Sequence, residues 1–353
     1  MSFDIFIRPI YLFLCVLMDE KYMKICIDLA LNGFPKALPN PLVGCVIVHN
    51  GKIIGKGFHQ NYGENHAEVN AINSVENKSL LHESTLYVTL EPCSHFGKTP
   101  PCANLIIDSK ISRVVIGSLD TFSKVNGEGI ERLKASGIKV STSVLEKECR
   151  SINSRFFTFH EKKRPYIILK WAKSKDGFIA PVNQLKPFWM TGKASKTLVH
   201  KWRSEESAIL VGKNTVIKDN PLLTCREIDG KNPIRLVIDK NLSLSRDHLV
   251  FNNEASTLVI NDSVDNDEHI KIDFQAFIPS LVRSLHQRGI QSLIVEGGAQ
   301  TLHTFIDANC WDEARIFTSN KILGNGLQSP VIEKVANFKE SISEDELYYY
   351  YNS

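Results

Sequence analysis

The stretch "VGCVIVHNGKIIGKGFH", residues 43 to 59, sets two apolar runs on either side of Asn50-Gly51. Asn-Gly between such runs is the strongest short-range hairpin signal, because the tight turn that matches strand twist needs positive φ at both central residues. An antiparallel strand pair is therefore expected near the start of the chain, and its neighbours must build on a sheet. They alternate. Residues 22 to 32 place Met23, Ile25, Cys26, Leu29 and Ala30 at helical spacing before Asn32-Gly33. After the hairpin, "HAEVNAINSV" reads as a helix, "STLYVTLEPC" as a buried strand ending at Pro92, "CANLIIDSK" as a helix and "RVVIGSLD" as a strand. "GEGIERLKASGIKV" adds a helix closed by Gly137 and a short strand.

At 353 residues the chain exceeds what one core supports, so two domains are expected. The charged stretch after residue 150 places a linker at 151–164, between domains at 18–150 and 165–353. The second half is again α/β: strand "RPYIILKWAK", helix "GKASKTLVHKWRSEES", strands "AILVG", "PIRLVIDK" and "STLVIN", helix "IPSLVRSLHQRG" and strand "SLIVEGG". The tail "SEDELYYYYNS" is too short and irregular to assign. Residues 1–17 contain an apolar run, "PIYLFLCVL", too short to span a bilayer and without a convincing cleavage site. They are read as an extension outside the fold, with Met18 as the working start.

Lys and Arg number 42 against 39 Asp and Glu, and no basic run is interleaved with aromatics, which argues against a nucleic-acid partner and for a small-molecule one. Eight scattered cysteines in mostly apolar settings fit a reducing cytoplasm.

Four residues carry chemistry. Zinc takes thiolates and imidazoles tetrahedrally, and a catalytic site keeps one position for water, so three protein ligands are the number to look for. His66, Cys93 and Cys102 make three. Glu68, two positions after the histidine at a helix start, suits a proton shuttle that takes a proton from water and returns it to departing ammonia. Both cysteines are expected at or near helix N-termini, where the positive end favours thiolate. H-x-E followed by P-C-x-x-C is the zinc-deaminase signature, and here the second cysteine stands nine positions after the first rather than three. A closed four-ligand site using His95 is the alternative; it leaves Glu68 without a task.

Together, "NPLVGCVIV", "GENHAEVNAI" and "VTLEPCSHFGKTPPC" resemble the N-terminal half of the bifunctional bacterial riboflavin-biosynthesis deaminase/reductase family, in which the longer cysteine spacing is the usual form. The resemblance implies a cytidine-deaminase-like three-layer α/β/α domain with His66, Cys93 and Cys102 on zinc and Glu68 as the proton shuttle. It implies that Asn40, His59, His95, Lys98 and Asp120 hold substrate. His95 and Lys98, in a loop between two zinc ligands, suit a phosphate. After Asp120 this chain reads "TFSKVNGEGI" where the family commonly has a Pro-rich turn.

No G-x-G-x-x-G occurs, so a Rossmann site has no support. "SLIVEGGAQTLHTFI" is a strand, a Gly-Gly turn and a helix, whose first N–H groups could bind phosphate, although such turns are also plain connections in α/β proteins. With "KWAKSKDGFIA", "WMTG" and "HKWRSEESAILVGKNTVIKDNPLLTCR", it resembles the C-terminal half of the same family, whose fold is like dihydrofolate reductase. Ala172, Trp189, Thr215, Asp219 and the run Gly298, Ala299, Gln300, Thr301, Leu302, His303 and Thr304 would then touch NADPH. Arg203, Leu223, Arg226 and Glu296 would touch the sugar-phosphate substrate, the guanidinium forks matching phosphate oxygens. Pro187 and Lys240 depart from serines often found there, and the charge of Lys240 suits the 2′-phosphate of NADPH. Hydride transfer is the cofactor's chemistry; Glu296 and Asp219 are candidates by type for a general acid.

The reading is a cytoplasmic two-domain enzyme binding Zn2+ and NADPH, acting on a small phosphorylated pyrimidine as a homo-oligomer, with no membrane or nucleic-acid partner. A single-function deaminase with an inactive C-terminal half and an RNA-binding deaminase-fold protein are the alternatives.

Overall fold

The structure, a computed structural model, describes residues 4–94, 100–121, 127–182 and 188–352, with side chains described from residue 16 onward. The chain divides into two compact units, Met1–Glu161 and Lys162–Ser353.

In the first unit the elements run α1 (Asp4–Leu31), β1 (Gly44–His49), β2 (Lys52–Phe58), α2 (Ala67–Ser74), β3 (Thr85–Leu90), α3 (Cys102–Asp108), β4 (Arg113–Ser118), α4 (Glu128–Ala135), β5 (Lys139–Ser141), α5 (Glu146–Ser151) and α6 (Ser154–Glu161). The β1–β2 hairpin forms as expected: Asn50 and Gly51 both take positive φ, 47° and 75°. The sheet order is β2-β1-β3-β4-β5, antiparallel through β3 and parallel beyond it. Because strand side chains alternate between faces, Cys45, Ile47, Leu86, Val88, Val114 and Ile116 pack with α2, α3 and α4, while Val46, Val48, Tyr87 and Val115 pack with α1. A helix–sheet–helix sandwich results.

Two expectations change here. Helix α1 begins at Asp4, upstream of Met18, and Asp19 is its first buried described side chain. The expected linker at 151–164 contains α6, whose Phe156 and Phe157 bury against Leu90, and Asn153 just before it exchanges two hydrogen bonds with the backbone of Leu42. Lys162, Lys163 and Arg164 follow the end of α6, and the unit boundary falls at 161/162.

The second unit comprises β6 (Tyr166–Lys173), β7 (Phe178–Ala180), α7 (Lys193–Glu205), β8 (Ala208–Gly212), α8 (Lys213–Asp219), β9 (Ile234–Ile238), β10 (Thr257–Asn261), β11 (His269–Lys271), α9 (Phe277–Gln287), β12 (Ser292–Val295), α10 (Ala299–Asp307), β13 (Glu313–Thr318), β14 (Leu327–Gln328), β15 (Phe338–Ile342) and β16 (Asp345–Tyr351). Nine strands form one sheet in the order β11-β10-β9-β8-β12-β6-β13-β16-β15, parallel from β11 to β13. Leu169, Leu210 and Leu293 face α9 and α10, whereas Ile168, Ile209 and Ile294 face α7 and α8. Strands buried on both faces read as continuous apolar runs, which is why β6, β8 and β12 were visible in the sequence. The unassigned tail supplies β16, which pairs antiparallel with β13 on one side and with β15, just before the tail, on the other. Among the described residues no helix is long and apolar enough to cross a membrane.

Candidate functional site

Close helix–strand contact places the first cluster. Gly55 and Gly57 on β2 let α2 lie directly on the strand: a Cβ at Gly57 would sit 2.4 Å from the Ala71 amide nitrogen. His66 caps α2 in extended backbone, Cys93 follows β3 in a loop, and α3 starts at Cys102. His66 Nδ1 stands 3.6 Å from Cys93 Sγ and 3.3 Å from Cys102 Sγ, with all three ligand atoms within 4.8 Å of one another. Zn–S bonds of about 2.3 Å and Zn–N bonds of about 2.0–2.1 Å at tetrahedral angles put N and S roughly 3.5 Å apart, so this donor set fits zinc as it stands.

Cys93 lies outside a helix, yet it receives a helix N-terminal donor: the Cys102 amide donates to its sulfur at 3.3 Å. The Cys102 thiol, then His66, holds Cys93 down at about 4, while Cys93 and burial push Cys102 well up. The pair thus shares one proton, which a metal would displace. Glu68 is buried beside them, within hydrogen-bonding reach of Cys102, and burial pushes its carboxyl up to about 7 against the pull of His66.

Asn40 and His59 belong to the same neighbourhood. The His59 ring lies edge-on to His66 at 5.5 Å, with its Nδ1 3.0 Å from the Asn65 carbonyl and its Nε2 3.0 Å from the Asn40 amide. With Nδ1–H donating to the carbonyl and Asn40 donating to Nε2, the ring is neutral, and burial lowers its pKa. Asp120 is buried, and its backbone N–H donates to buried Glu91, which sequence reasoning overlooked. The Glu91 carboxylate accepts backbone N–H groups of Asp120, Gly127, Gly129 and Ile130 at 3.1–3.4 Å, tying the start of α4 to the loop that carries Cys93. His95 and Lys98 lie outside the described residues, as does Pro187.

In the second unit a cleft of about 1070 Å³ opens at the carboxyl ends of the parallel strands, where open α/β sheets place ligands. Its wall includes Ala172, Trp189, Thr215, Asp219, Gly298, Ala299, Gln300, Thr301 and Thr304 among the expected cofactor residues, Arg203 and Glu296 among the substrate residues, and Lys240. Gly298 caps α10 in extended backbone, leaving the first-turn amides of α10 as donors.

Four expected residues are placed elsewhere. Leu302 is fully buried in the core with Phe305, because the helical period turns it away from the cleft, and His303 is exposed on the outer face. Leu223 is a core residue with φ 58°, and Arg226 is exposed; neither lines the cleft wall. The Arg203 fork is also partly engaged. Its Nε and Nη2 reach Glu296 at 3.2 and 2.9 Å and its Nη1 reaches the Thr224 carbonyl at 3.3 Å. Lys170 Nζ joins Glu296 at 3.5 Å. Burial would raise Glu296, but Arg203 and Lys170 outweigh it and hold the carboxyl at about 2. Sequence reasoning missed Lys170; a lysine inside "YIILKWAK" was its signal, since charges inside buried strands need partners.

Residues 17–118 match the cytidine and deoxycytidylate deaminase zinc-binding region, and residues 165–343 match the RibD C-terminal domain. The chain is 39% identical to a riboflavin biosynthesis protein RibD of Aquifex aeolicus, covering 88% of this chain and 89% of the relative. It is 34% identical to the Escherichia coli protein of that name, over 90% and 93% of the two chains. A crystal structure of a diaminohydroxyphosphoribosylaminopyrimidine deaminase/5-amino-6-(5-phosphoribosylamino)uracil reductase from Thermotoga maritima superposes with a TM-score of 0.83 at 39% identity, covering 95% of this chain and 98% of the other.

Proposed function

Because the chain belongs to the RibD family of riboflavin biosynthesis, we propose that residues 18–150 carry a deamination and residues 165–353 a reduction. The enzyme is a zinc-dependent pyrimidine deaminase and an NADPH-dependent reductase, with a cytidine-deaminase-like and a dihydrofolate-reductase-like domain. It converts 2,5-diamino-6-(5-phosphoribosylamino)pyrimidin-4(3H)-one by hydrolytic deamination and then reduces the ribosyl side chain, giving 5-amino-6-(5-phosphoribitylamino)uracil.

The observation that carries the assignment of residues is the cluster of one imidazole and two thiols at tetrahedral spacing with a buried carboxyl beside it. His66, Cys93 and Cys102 would hold zinc, which would supply a Lewis acid that makes water nucleophilic near neutral pH. Glu68, the buried carboxyl beside these residues, accepts a proton from the attacking water and delivers it to the departing amine. Neutral His59, locked by Asn40 and the Asn65 carbonyl, gives the pyrimidine a fixed polar edge. Asp120, positioned through Glu91, and the loop with His95 and Lys98 complete the substrate contacts.

In the second cleft NADPH supplies hydride. The first-turn amides of α10, from Ala299 to Thr301, would receive its phosphates, with Ala172, Trp189, Thr215, Asp219 and Thr304 along the wall and the charge of Lys240 suited to the 2′-phosphate. Lys170, Arg203 and Glu296 form two cations against one carboxylate, a net positive wall suited to a sugar phosphate. Low overall basicity supports a small-molecule partner without nucleic acid; a cytoplasmic homo-oligomer completes the proposal.

Glu68→Gln tests the first site. The variant should bind zinc in full and reduce the deaminated pyrimidine at the wild-type rate, while deamination, followed by mass spectrometry of the product, falls at least a hundredfold. Loss of zinc would make Glu68 a ligand and overturn the shuttle.

A further inference from the structure

Helix α7 presents one stripe to the second cleft: Lys196, Val199, His200 and Arg203. Both cations of that stripe are already engaged, Lys196 with Glu227 at 2.7 Å and Arg203 with Glu296. His200 differs. It is 1% exposed, and the Arg226 backbone N–H donates to its Nδ1 at 3.2 Å. An acceptor at Nδ1 places the ring proton of a neutral imidazole on Nε2. Among the described residues Nε2 has no hydrogen-bond partner. Burial first, then Arg203 and Arg226, lowers the ring's pKa to about 4, so it stays neutral at physiological pH.

We propose that His200 donates its Nε2–H to the phosphate of the reductase substrate. This rests on the reading that the Arg203 side of the cleft holds that substrate. The geometry leaves a place for a further donor there: Arg203 spends the parallel N–H pair of Nε and Nη2 on Glu296 and an Nη1 N–H on the Thr224 carbonyl, so three of its five N–H groups are already engaged. A neutral donor supplies one without adding a fourth positive charge beside Arg203, Arg226 and Lys196. The same ring also ties the backbone of Arg226 to α7, which fixes the imidazole's orientation.

Reductase kinetics with 5-amino-6-(5-phosphoribosylamino)uracil and its dephosphorylated counterpart test the proposal in the full-length enzyme. His200→Leu should raise KM for the phosphorylated substrate about ten- to a hundredfold, the loss of a hydrogen bond to a charged group. Its kcat, its KM for NADPH and its kinetics with the dephosphorylated compound should stay unchanged. His200→Gln, which keeps an acceptor and an N–H donor, should recover most of the loss. Equal losses on both substrates, or an unchanged KM, would overturn the role of His200. A wild-type enzyme indifferent to the phosphate would instead overturn the underlying site reading and the inference with it. If His200→Leu does not fold, wild-type protein with nitrogen-labelled imidazoles is titrated with ribose 5-phosphate. A newly protected His200 Nε2–H resonance supports the proposal, and an unmoved one overturns it.

Discussion

Glu68 is a buried carboxyl and Glu296 a half-buried one in the cleft wall, and their neighbours drive them apart. Burial dominates at Glu68 and pushes it up to about 7, in the range of a group that gains and loses a proton. At Glu296 two cations outweigh burial, and the carboxylate stays charged down to about pH 2. Lys170 is lowered although it faces a carboxylate, because burial and the like charge of Arg203 outweigh Glu296. A depressed carboxyl stabilises the fold fully above its ordinary value of 4.5 and loses that contribution as pH falls toward 2. Glu296→Gln leaves two cations without their carboxylate and should cost about 3–5 kcal/mol at neutral pH. The gap from wild type should narrow as pH drops below 4.5. Tryptophan fluorescence during urea unfolding reads this directly, since Trp171, Trp189, Trp202 and Trp311 all lie in the second unit. A gap constant from pH 6 to pH 2.5 would show that Glu296 is not held down by its partners.

At the scale of elements, legibility followed locality. The Asn50-Gly51 hairpin, α2, α3 and the cluster of His66, Cys93 and Cys102 declare themselves through periods and spacings within a few dozen residues. Helix α6 does not, because Phe156 and Phe157 are adjacent and sit among charges instead of recurring every three or four positions. Strand β16 hides for another reason: Leu347 and Tyr349 pack on one face and Tyr348 and Tyr350 on the other, so burial on both sides erases the alternation. The pairing of Arg203 with Glu296 spans 93 positions and leaves no local mark. The strand–Gly-Gly–helix turn was legible as a shape, although helical period removes Leu302 and His303 from the cleft. Its tightness is testable. A Cβ at Gly297 would lie 2.5 Å from Thr301 Cβ, and Thr301, β-branched on a helix, has little rotamer freedom to yield. Gly297→Ala should cost about 1–3 kcal/mol, lower the fluorescence-detected midpoint and raise KM for NADPH. Adding Thr301→Ala should return the midpoint; an undisturbed single variant would mean that the turn relaxes without moving α10.

At the scale of the molecule, each unit draws its core from its own residues, and each proposed site does the same. The proposed metal ligands are all in Met1–Glu161, at the cap of α2, the start of α3 and the loop after β3, whereas the cleft proposed for NADPH is walled by residues after Lys162. Metal binding adds folding free energy to the unit that holds it, because a site absent from the unfolded chain stabilises only the folded one. Stripping zinc with a chelator should therefore abolish deamination, and the Cys93 and Cys102 thiols should become reactive toward a thiol reagent. Oxidation of NADPH with added deaminated pyrimidine should continue at the original rate. The tryptophan-reported midpoint should not move, since every tryptophan is in the unit without the metal. Restoring zinc should restore deamination alone. If chelation instead slows NADPH oxidation or shifts the tryptophan midpoint, the second unit depends on the first for its own fold, and the two reactions are not carried by separately built sites.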